Sequence, residues 1–329
     1  MKAVESVARL AASFAQREPV RANFRDAVVL ITGGSRGLGL ALAEEAGHRG
    51  ATVVICARER TEIDTALLLL IDRGVRATGE TCDVGDPADA ARVVENVLDR
   101  HGRIDVVLND AGTIIVGPFA EMTRADFDDA LRVNFSGALN TMLAALPHMR
   151  ARRRGHIVNV DSIGGRIGVP HLSAYCAAKF ALTGLCNAVR AELRRDGIVL
   201  TLVQPGLMRT GSPRNATFKG RHRDEYAWFS IADSLLSMGA AAAARAIWDA
   251  AERGVAETTI GLPAELGAFA DRLVPRAVRA ATALADALLP KRGGIGPDRA
   301  RGDASTSALS ESVLTAPNRK AEEKYGQRI

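Results

Sequence analysis

The sequence has few aromatic residues and few cysteines. Phe, Trp and Tyr make up 4% of its 329 residues, and its four cysteines are Cys56, Cys82, Cys176 and Cys186. They form no Cys-x-x-Cys pair and have no histidine at zinc-ligand spacing, so the pattern predicts neither a redox motif nor a metal site. We therefore expect a reducing, cytoplasmic setting and no metal cofactor.

Long apolar runs are also lacking. The longest candidate, Leu67 to Ile71, is flanked by Asp64, Asp72 and Arg73, whereas a bilayer-spanning helix needs about 20 apolar residues. We predict no transmembrane helix. Residues 1–25 are predicted to form an amphipathic lead-in helix, because charged residues interrupt the apolar core that a signal peptide requires.

Charge of one sign is in small excess. Lys and Arg number 43 against 38 Asp and Glu, a net charge of +5 that by itself does not indicate a nucleic-acid partner. The six histidines form no His-x-x-x-His pair. The segment around Ser162 lacks the first glycine of a Gly-x-Ser-x-Gly motif, which argues against a serine hydrolase.

What the sequence does have is an alternation of short β-branched runs with helix-length segments over residues 26–262. This alternation is typical of βαβ units. We predict an α/β fold: a Rossmann-like, doubly wound, seven-stranded parallel sheet flanked by helices, in a single domain. The predicted strands are Ala27–Thr32, Thr52–Cys56, Arg76–Cys82, Ile104–Leu108, His156–Val160, Val199–Val203 and Glu257–Ile260.

Two segments follow this domain. Residues 263–290 show an Ala-rich helical pattern with one apolar face and a basic side that contains Arg272, Arg276 and Arg279. Packing on the protein and a peripheral membrane contact both fit this pattern, and we favour packing on the protein. Residues 291–329 have little apolar surface to offset the entropy of ordering, so we expect a flexible polar tail.

A glycine-rich loop follows the first strand and precedes a helix. Gly33, Gly37 and Gly39 allow a tight turn and a close approach of backbone to a pyrophosphate, for which the helix N-terminus supplies N–H donors. After the second strand, where an acidic residue would bind the ribose of NAD, the chain has Arg58. Because Arg58 and Arg36 suit a 2′-phosphate, we predict NADP(H) in preference to NAD(H).

Tyr175 and Lys179 are four residues apart and therefore share one helix face. A nearby ammonium would favour the ionised form of a tyrosine, so we expect Lys179 to lower the pKa of Tyr175. Ser162 follows the strand at His156–Val160, and its position is that of ligand-binding residues in open α/β sheets.

Together these motifs resemble those of the short-chain dehydrogenase/reductase family over residues 26–262. The shared landmarks, in chain order, are the glycine loop from Thr32 to Gly39, Asp83, Asn109-x-Ala111-Gly112, the set Asn134, Ser162, Tyr175 and Lys179, and Pro205-Gly206 with Thr210. The chain departs from the family pattern at Asp110, which puts a carboxylate near the cofactor channel. It departs again at Asp161, just before Ser162.

The resemblance implies roles for individual residues. Tyr175 would pass a proton to or from the substrate oxygen, Ser162 would hold that oxygen, and Lys179 would bind the nicotinamide ribose. Asn134 would support a water-linked proton relay, and Asn109 would mainly steady the sheet. The implied cofactor-binding residues are Thr32, Gly33, Ser35, Arg36, Gly37, Leu38, Gly39, Arg58, Asp83, Val84, Asn109, Ala111, Gly112, Tyr175, Lys179, Pro205, Gly206 and Thr210.

The resulting hypothesis is an NADP(H)-dependent oxidoreductase that interconverts a carbonyl and an alcohol. Two alternatives stay open: a non-catalytic NADP-binding regulatory protein, and an epimerase or dehydratase that uses bound nicotinamide. Aromatic residues between Gly211 and Ser237, the expected substrate lid, either favour a bulky hydrophobic substrate or pack the lid on the core. The resemblance also implies a homodimer or homotetramer built on the helices at Thr123–Leu146 and Ala174–Arg195.

Overall fold

Seven parallel strands form the central sheet of the computed structural model, which describes residues 22–327. Numbered along the chain as below, their order across the sheet is β11-β7-β6-β4-β1-β2-β3, so the order in which strands are added reverses between β1 and β4. The predicted fold class is confirmed. The strands of this sheet are β1 (Val28–Thr32), β2 (Thr52–Ala57), β3 (Ala77–Thr81), β4 (Val106–Asn109), β6 (Gly155–Val160), β7 (Ile198–Pro205) and β11 (Glu257–Ile260).

Short strands form two smaller sheets beside the main one. The strand β9 (Thr217–Phe218) pairs with β5 (Ile115–Val116) on one side and with β12 (Ala300–Arg301) on the other. The strand β8 (Met208–Arg209) pairs with β10 (Met238–Gly239).

Eleven α-helices lie within residues 22–327. They are α1 (Gly37–His48), α2 (Arg60–Asp72), α3 (Pro87–His101), α4 (Arg124–Leu131), α5 (Gly137–Arg152), α6 (Ser173–Arg195), α7 (His222–Leu236), α8 (Ala240–Glu252), α9 (Leu262–Leu273), α10 (Pro275–Leu288) and α11 (Ala316–Lys324).

Helices cover both faces of the central sheet because successive strand residues point to opposite sides. In β1, Val29 and Ile31 join a core with α1, α2 and α8, whereas Val28 and Leu30 join a core with α3, α5 and α6. Trp248 of α8 lies fully buried in the first core, where its Nε1 donates a hydrogen bond to the carbonyl oxygen of Leu42 at 3.0 Å.

The helix predicted at Thr123–Leu146 is instead two α-helices joined by a π-helical turn. Residues Arg132–Ser136 form this turn, and α5 continues past Pro147 to Arg152. A π-turn inserts an extra residue into a helix and often occurs at functional sites. Here it carries Asn134.

The Ala-rich pattern at 263–290 forms two helices rather than one, since Pro275 cannot donate the hydrogen bond that would continue α9. Ala264 and Ala268 are buried, but Leu273 is 61% exposed and Leu284 is 66% exposed. The favoured packing on the protein therefore holds only for the alanine edge of α9, and the larger apolar side chains face outward.

The polar segment that we expected to be flexible is folded against the domain as far as Gln327. Its strand β12 extends the β5–β9 ladder, and Ser305, Thr315 and Asn318 are buried. Polar contacts hold it in place, such as the hydrogen bond from Asn318 to the carbonyl oxygen of Ser230 at 3.0 Å. The expectation of a flexible tail considered only the small apolar surface of this segment, which gives no information about such polar anchors.

Two other sequence expectations concern membranes and the N-terminus. Among residues 22–327, no helix combines the length and apolarity needed to cross a bilayer. The predicted lead-in helix falls almost wholly on residues 1–21, which lie outside the described part of the chain.

Candidate active site

A cleft of about 510 Å³ lies at the carboxyl ends of the strands, beside the reversal between β1 and β4. Open α/β sheets bind ligands at this position, and the volume is in the range of small-molecule sites. The predicted site residues that line the cleft are Gly33, Ser35, Arg36, Gly37, Leu38, Arg58, Asp83, Val84, Ala111, Gly112, Asn134, Tyr175, Lys179 and Thr210.

The other predicted residues lie behind the walls of this cleft. Thr32 accepts hydrogen bonds from the backbone N–H groups of Asp110 and Ala111, both at 3.2 Å. Pro205 ends β7, and Gly206 donates its N–H to the carbonyl oxygen of Ile260 at 3.0 Å. These residues support the cleft without lining it, as do Gly39, Asn109 and Ser162.

The glycine loop can adopt its shape only without side chains. Gly33 has φ +71°, and a Cβ there would lie 2.8 Å from Cα of Ala111. A Cβ on Gly39 would lie 2.1 Å from the carbonyl oxygen of Gly33, so α1 packs directly on the turn. This close packing leaves a backbone-lined cradle at the N-terminus of α1, which fits a dinucleotide pyrophosphate.

Arginine side chains surround the outer end of the cradle. Arg36 pairs with Glu62 at 2.5 Å, and Arg58 is exposed after the end of β2. Burial lowers the pKa of Arg36; Glu62 works against this, while Arg58 and Arg301 lower the pKa further. Arg36, Arg58 and Arg301 therefore act on one region of the cleft, although sequence motifs pointed only to Arg36 and Arg58.

Asp83, at the end of the cleft where the adenine is expected, is engaged with the protein. Its carboxylate pairs with Arg132 at 2.7 Å and accepts the N–H of Gly85 at 2.9 Å. Burial raises the pKa of Asp83, but these two hydrogen bonds outweigh burial and hold it below its usual value.

Asn109 and Asn134 are buried and fixed by hydrogen bonds. Asn109 donates to Asn159 at 2.8 Å and accepts from Thr141 at 2.6 Å, which joins β4 to β6 and α5. Asn134 donates to the carbonyl oxygens of Thr113 and Ala130 and accepts from the N–H of Thr113, each at 3.0 Å.

Ser162 and Tyr175 meet beside Gly164. The Ser162 hydroxyl oxygen accepts the N–H of Gly164 at 3.0 Å. Burial raises the pKa of Tyr175 and the Asp161 and Asp110 carboxylates add to the rise, whereas the hydrogen bond with Ser162 opposes it.

The expected lowering of the Tyr175 pKa by Lys179 is therefore wrong for this arrangement. The Lys179 ammonium lies 5.7 Å from the centre of the Tyr175 ring and donates to the carbonyl oxygen of Val160 at 2.9 Å. Burial also lowers the pKa of Lys179 itself, while Asp161 and Asp110 oppose this effect.

Two carboxyl groups surround Lys179. Burial raises the pKa of Asp110 to about 8, although Lys179 and the N–H of Gly39 oppose the rise. Burial likewise raises the pKa of Asp161 to about 6, and its carboxylate accepts from the Thr183 hydroxyl at 2.5 Å. Sequence reasoning noted both departures from the family pattern but missed that they meet at Lys179.

The aromatic residues of the expected lid mostly pack on the domain. Phe218 is fully buried and makes edge-to-face contacts with Tyr226 and Phe229. Trp228 is 46% exposed on α7. Because these rings do not line the cleft, they give no support to a hydrophobic pocket.

Metal chemistry has no apparent ligand set in the described residues. No group of three or more His, Cys, Asp or Glu side chains within residues 22–327 is placed to hold a metal ion.

Comparison with known proteins matches this geometry to one family. The sequence model of a family described as short chain dehydrogenase matches residues 27–219. The Anopheles gambiae protein named dehydrogenase/reductase SDR family protein 7-like is 38% identical over 197 residues, which cover 57% of this chain and 61% of that protein. A 3-ketodihydrosphingosine reductase of Bacteroides thetaiotaomicron is 34% identical over 188 residues, covering 57% and 66%.

Solved structures give the same result. A short-chain dehydrogenase from Streptomyces avermitilis aligns with a TM-score of 0.67 at 31% identity, over 80% of this chain and 97% of that one. A variant of actinorhodin polyketide ketoreductase with NADPH aligns with a TM-score of 0.64 at 30% identity, over 72% and 96%.

Proposed function

The chain belongs to the short-chain dehydrogenase family, and from that premise we propose that it is an NADP(H)-dependent oxidoreductase that interconverts a carbonyl group and an alcohol. One observation carries the proposal. Tyr175, Lys179 and Asn134 line the same cleft as the glycine loop, and Ser162, which lies outside the lining, is hydrogen-bonded to Tyr175. A binding module would need the cradle alone, without this set of polar side chains.

The nicotinamide cofactor, when bound, supplies the hydride. Gly33 and Leu38 would hold its pyrophosphate at the N-terminus of α1, and Gly37, whose N–H donates to Tyr325, would line the same cradle. Arg36 and Arg58 would bind a 2′-phosphate, which is the basis for proposing NADP(H). Asp83 and Val84 line the end of the cleft where the adenine would lie.

Tyr175 transfers the proton in this proposal. Burial raises its pKa, so its hydroxyl keeps the proton at neutral pH and can donate it to a carbonyl oxygen that gains negative charge. Ser162 accepts the N–H of Gly164 and is hydrogen-bonded to Tyr175, and in this proposal its hydroxyl turns to the same substrate oxygen when substrate is bound.

Lys179 and Asn134 position the reacting groups. Lys179 would bind the nicotinamide ribose from its place beside Val160. Asn134 uses both amide hydrogens on backbone carbonyl groups and its oxygen accepts the N–H of Thr113, so the second lone pair of that oxygen is what remains for a water-linked relay. For the substrate we propose a ketone or aldehyde, and a bulky hydrophobic one is a hypothesis that a substrate panel can test.

The assembly we propose is a homodimer or homotetramer in a reducing compartment such as the cytoplasm. Leu143 of α5 is 58% exposed and Phe180 of α6 is 45% exposed, and α5 and α6 are the helices expected at the interface. All four cysteines are unpaired, as a reducing compartment would keep them.

The test is to titrate the purified protein with NADPH and NADH, then follow NADPH absorbance against a panel of ketones and aldehydes. Tyr175→Phe should bind NADPH but lose turnover by about 10²- to 10⁴-fold, since it cannot donate a proton. Tyr226→Phe removes a phenol outside the cleft and should keep its activity.

Product formation without net NADPH consumption would instead indicate an epimerase or dehydratase. Tight NADPH binding without turnover across the whole panel would favour the regulatory alternative. Full activity in Tyr175→Phe would refute the proposed mechanism.

A further inference from the structure

The C-terminal strap, which we define as residues 299–327, forms part of the wall of the cleft. Arg299, Arg301 and Gln327 all line the cleft, and β12 within the strap pairs antiparallel with β9. The N–H of Gly37, in the glycine loop, donates to the carbonyl oxygen of Tyr325 at 2.8 Å. The strap therefore contacts the segment of backbone that is shaped for a pyrophosphate.

Gln327 places an amide beside the glycine loop. Its Oε1 accepts from Asn215 at 2.5 Å, which orients the amide so that Nε2 faces the loop. A Cβ built on Gly37 would lie 2.7 Å from this Nε2. An N–H donor from the strap thus faces the cradle where phosphate oxygens are expected.

Arg301 adds a cation from a third part of the chain. Its guanidinium donates to Asn215 at 2.7 Å, so one asparagine orients both Arg301 and Gln327. Arg301 is near enough to Arg36 to lower the pKa of that guanidinium, as Arg58 also does. Glu62 pairs with Arg36 and Asp303 pairs with Arg301, and a phosphate would add an anion that several guanidinium groups bind well together.

The strap also has anchors that are separate from these two side chains. Arg299 pairs with Asp126 at 2.7 Å and with Asp129 at 2.6 Å, and Asn318 is bonded to α7. These contacts hold the strap in place. Arg301 is 63% exposed and, besides its bond to Asn215, pairs with Asp303 of the strap itself at 3.5 Å.

We propose that the strap is part of the cofactor site, with Arg301 and Gln327 binding phosphate groups of the dinucleotide, so that the strap closes the cleft over the bound cofactor. The inference rests on the proposed function, because it requires a dinucleotide in this cleft. It assigns cofactor-binding residues to a segment beyond residues 26–262, where the family motifs lie.

The experiment measures the Kd of NADPH and of NADH for the full chain, for Arg301→Ala and for Gln327→Ala. Lys320→Ala is the matched control, because it removes the same charge from an exposed position of the strap that does not line the cleft. Arg301→Ala should raise the Kd of NADPH by about tenfold and Gln327→Ala by a smaller factor, while Lys320→Ala changes it little.

The two nucleotides distinguish the phosphates. A loss confined to NADPH assigns Arg301 to the 2′-phosphate, and an equal loss with NADH assigns it to the pyrophosphate; both results support the inference. In hydrogen exchange, NADPH should slow exchange at residues 299–305 and 325–327 of the wild-type protein.

Several results would overturn the inference. If Arg301→Ala and Lys320→Ala bind NADPH equally well, the strap is only a structural element. If the variants bind more tightly than wild type, the strap blocks the cleft. If the wild-type protein binds neither nucleotide, the proposed function fails as well, whereas normal wild-type binding with unaffected variants removes the strap inference alone.

Discussion

Asp110 lies where a dinucleotide would be bound, yet its burial keeps the carboxyl group neutral near pH 7. Its pKa is about 8, so the charge that would repel a phosphate is largely absent at neutral pH. A carboxyl group at this position is therefore compatible with the cofactor that we propose.

This burial has a consequence for stability. Between about pH 4, where the unfolded chain loses the Asp110 proton, and about pH 8, where the folded chain loses it, the folded state binds more protons. The free energy of unfolding should therefore fall as pH rises through this window. Asp110→Asn removes the effect. The free energy of unfolding of this variant minus that of wild type should therefore be about 1–3 kcal/mol larger at pH 9 than at pH 5.

Urea unfolding of the nucleotide-free proteins at both pH values measures the difference. Asp99→Asn, on an exposed position of α3, is the control and should follow the wild-type pH dependence. An Asp110→Asn variant that also runs parallel to wild type would show that Asp110 is ionised in the folded state.

At the scale of elements, Asp126 and its partners join three segments that are distant in the sequence. Lys219, just after β9, pairs with Asp126 in the first turn of α4, and both side chains are almost fully buried. Asp126 also accepts from the N–H of Thr123 at 2.7 Å and from Arg299 of the strap. Asp126 is thus both a helix cap and an anchor.

Removing the cation should be costly. Lys219→Met leaves Asp126 buried without its main partner, so we expect the free energy of unfolding to fall by about 3 kcal/mol in urea. Arg124→Ala breaks the exposed pair with Asp128 in the same helix and should leave the urea midpoint nearly unchanged. Equal midpoints for the two variants would mean that the buried pair contributes nothing.

At the scale of the whole molecule, the assembly that we propose would cover the exposed apolar residues of α5 and α6. Leu143→Glu should shift the mass measured by light scattering after size exclusion from an oligomer towards the monomer, because a charge would be buried at the interface. Leu68→Glu, on an exposed position of α2 that is 71% accessible, should leave the mass unchanged. A monomeric wild-type protein, or an oligomer that tolerates Leu143→Glu, would contradict the proposed interface.

The sheet could be predicted from the sequence because its strands carry their own signal. Buried apolar runs such as Val28–Thr32 lie between turn residues and alternate with helices, and the observed strand limits fall within about two residues of the prediction in all seven cases. The glycine loop and the Tyr175–Lys179 spacing were found for the same reason, since each is local. Pro275 was also a readable signal for the break between α9 and α10.

The strap and the charge states of the site depend on contacts that are distant in sequence. Arg299 meets Asp126 across 173 residues, and Asn215 meets Gln327 across 112. A polar composition says nothing about such partners. The rise in the pKa of Tyr175 likewise depends first on burial and then on Asp161 and Asp110, which are 14 and 65 residues away in the sequence.

The two tryptophans of the chain lie in very different surroundings. Trp248 is fully buried between α1 and the sheet, whereas Trp228 is nearly half exposed on α7. An aqueous quencher such as iodide reaches an exposed indole and not a buried one, so quenchable emission reports on α7, and the unquenched emission reports on the core beneath the sheet. Intrinsic fluorescence can therefore separate movement of α7 from global unfolding without any added label.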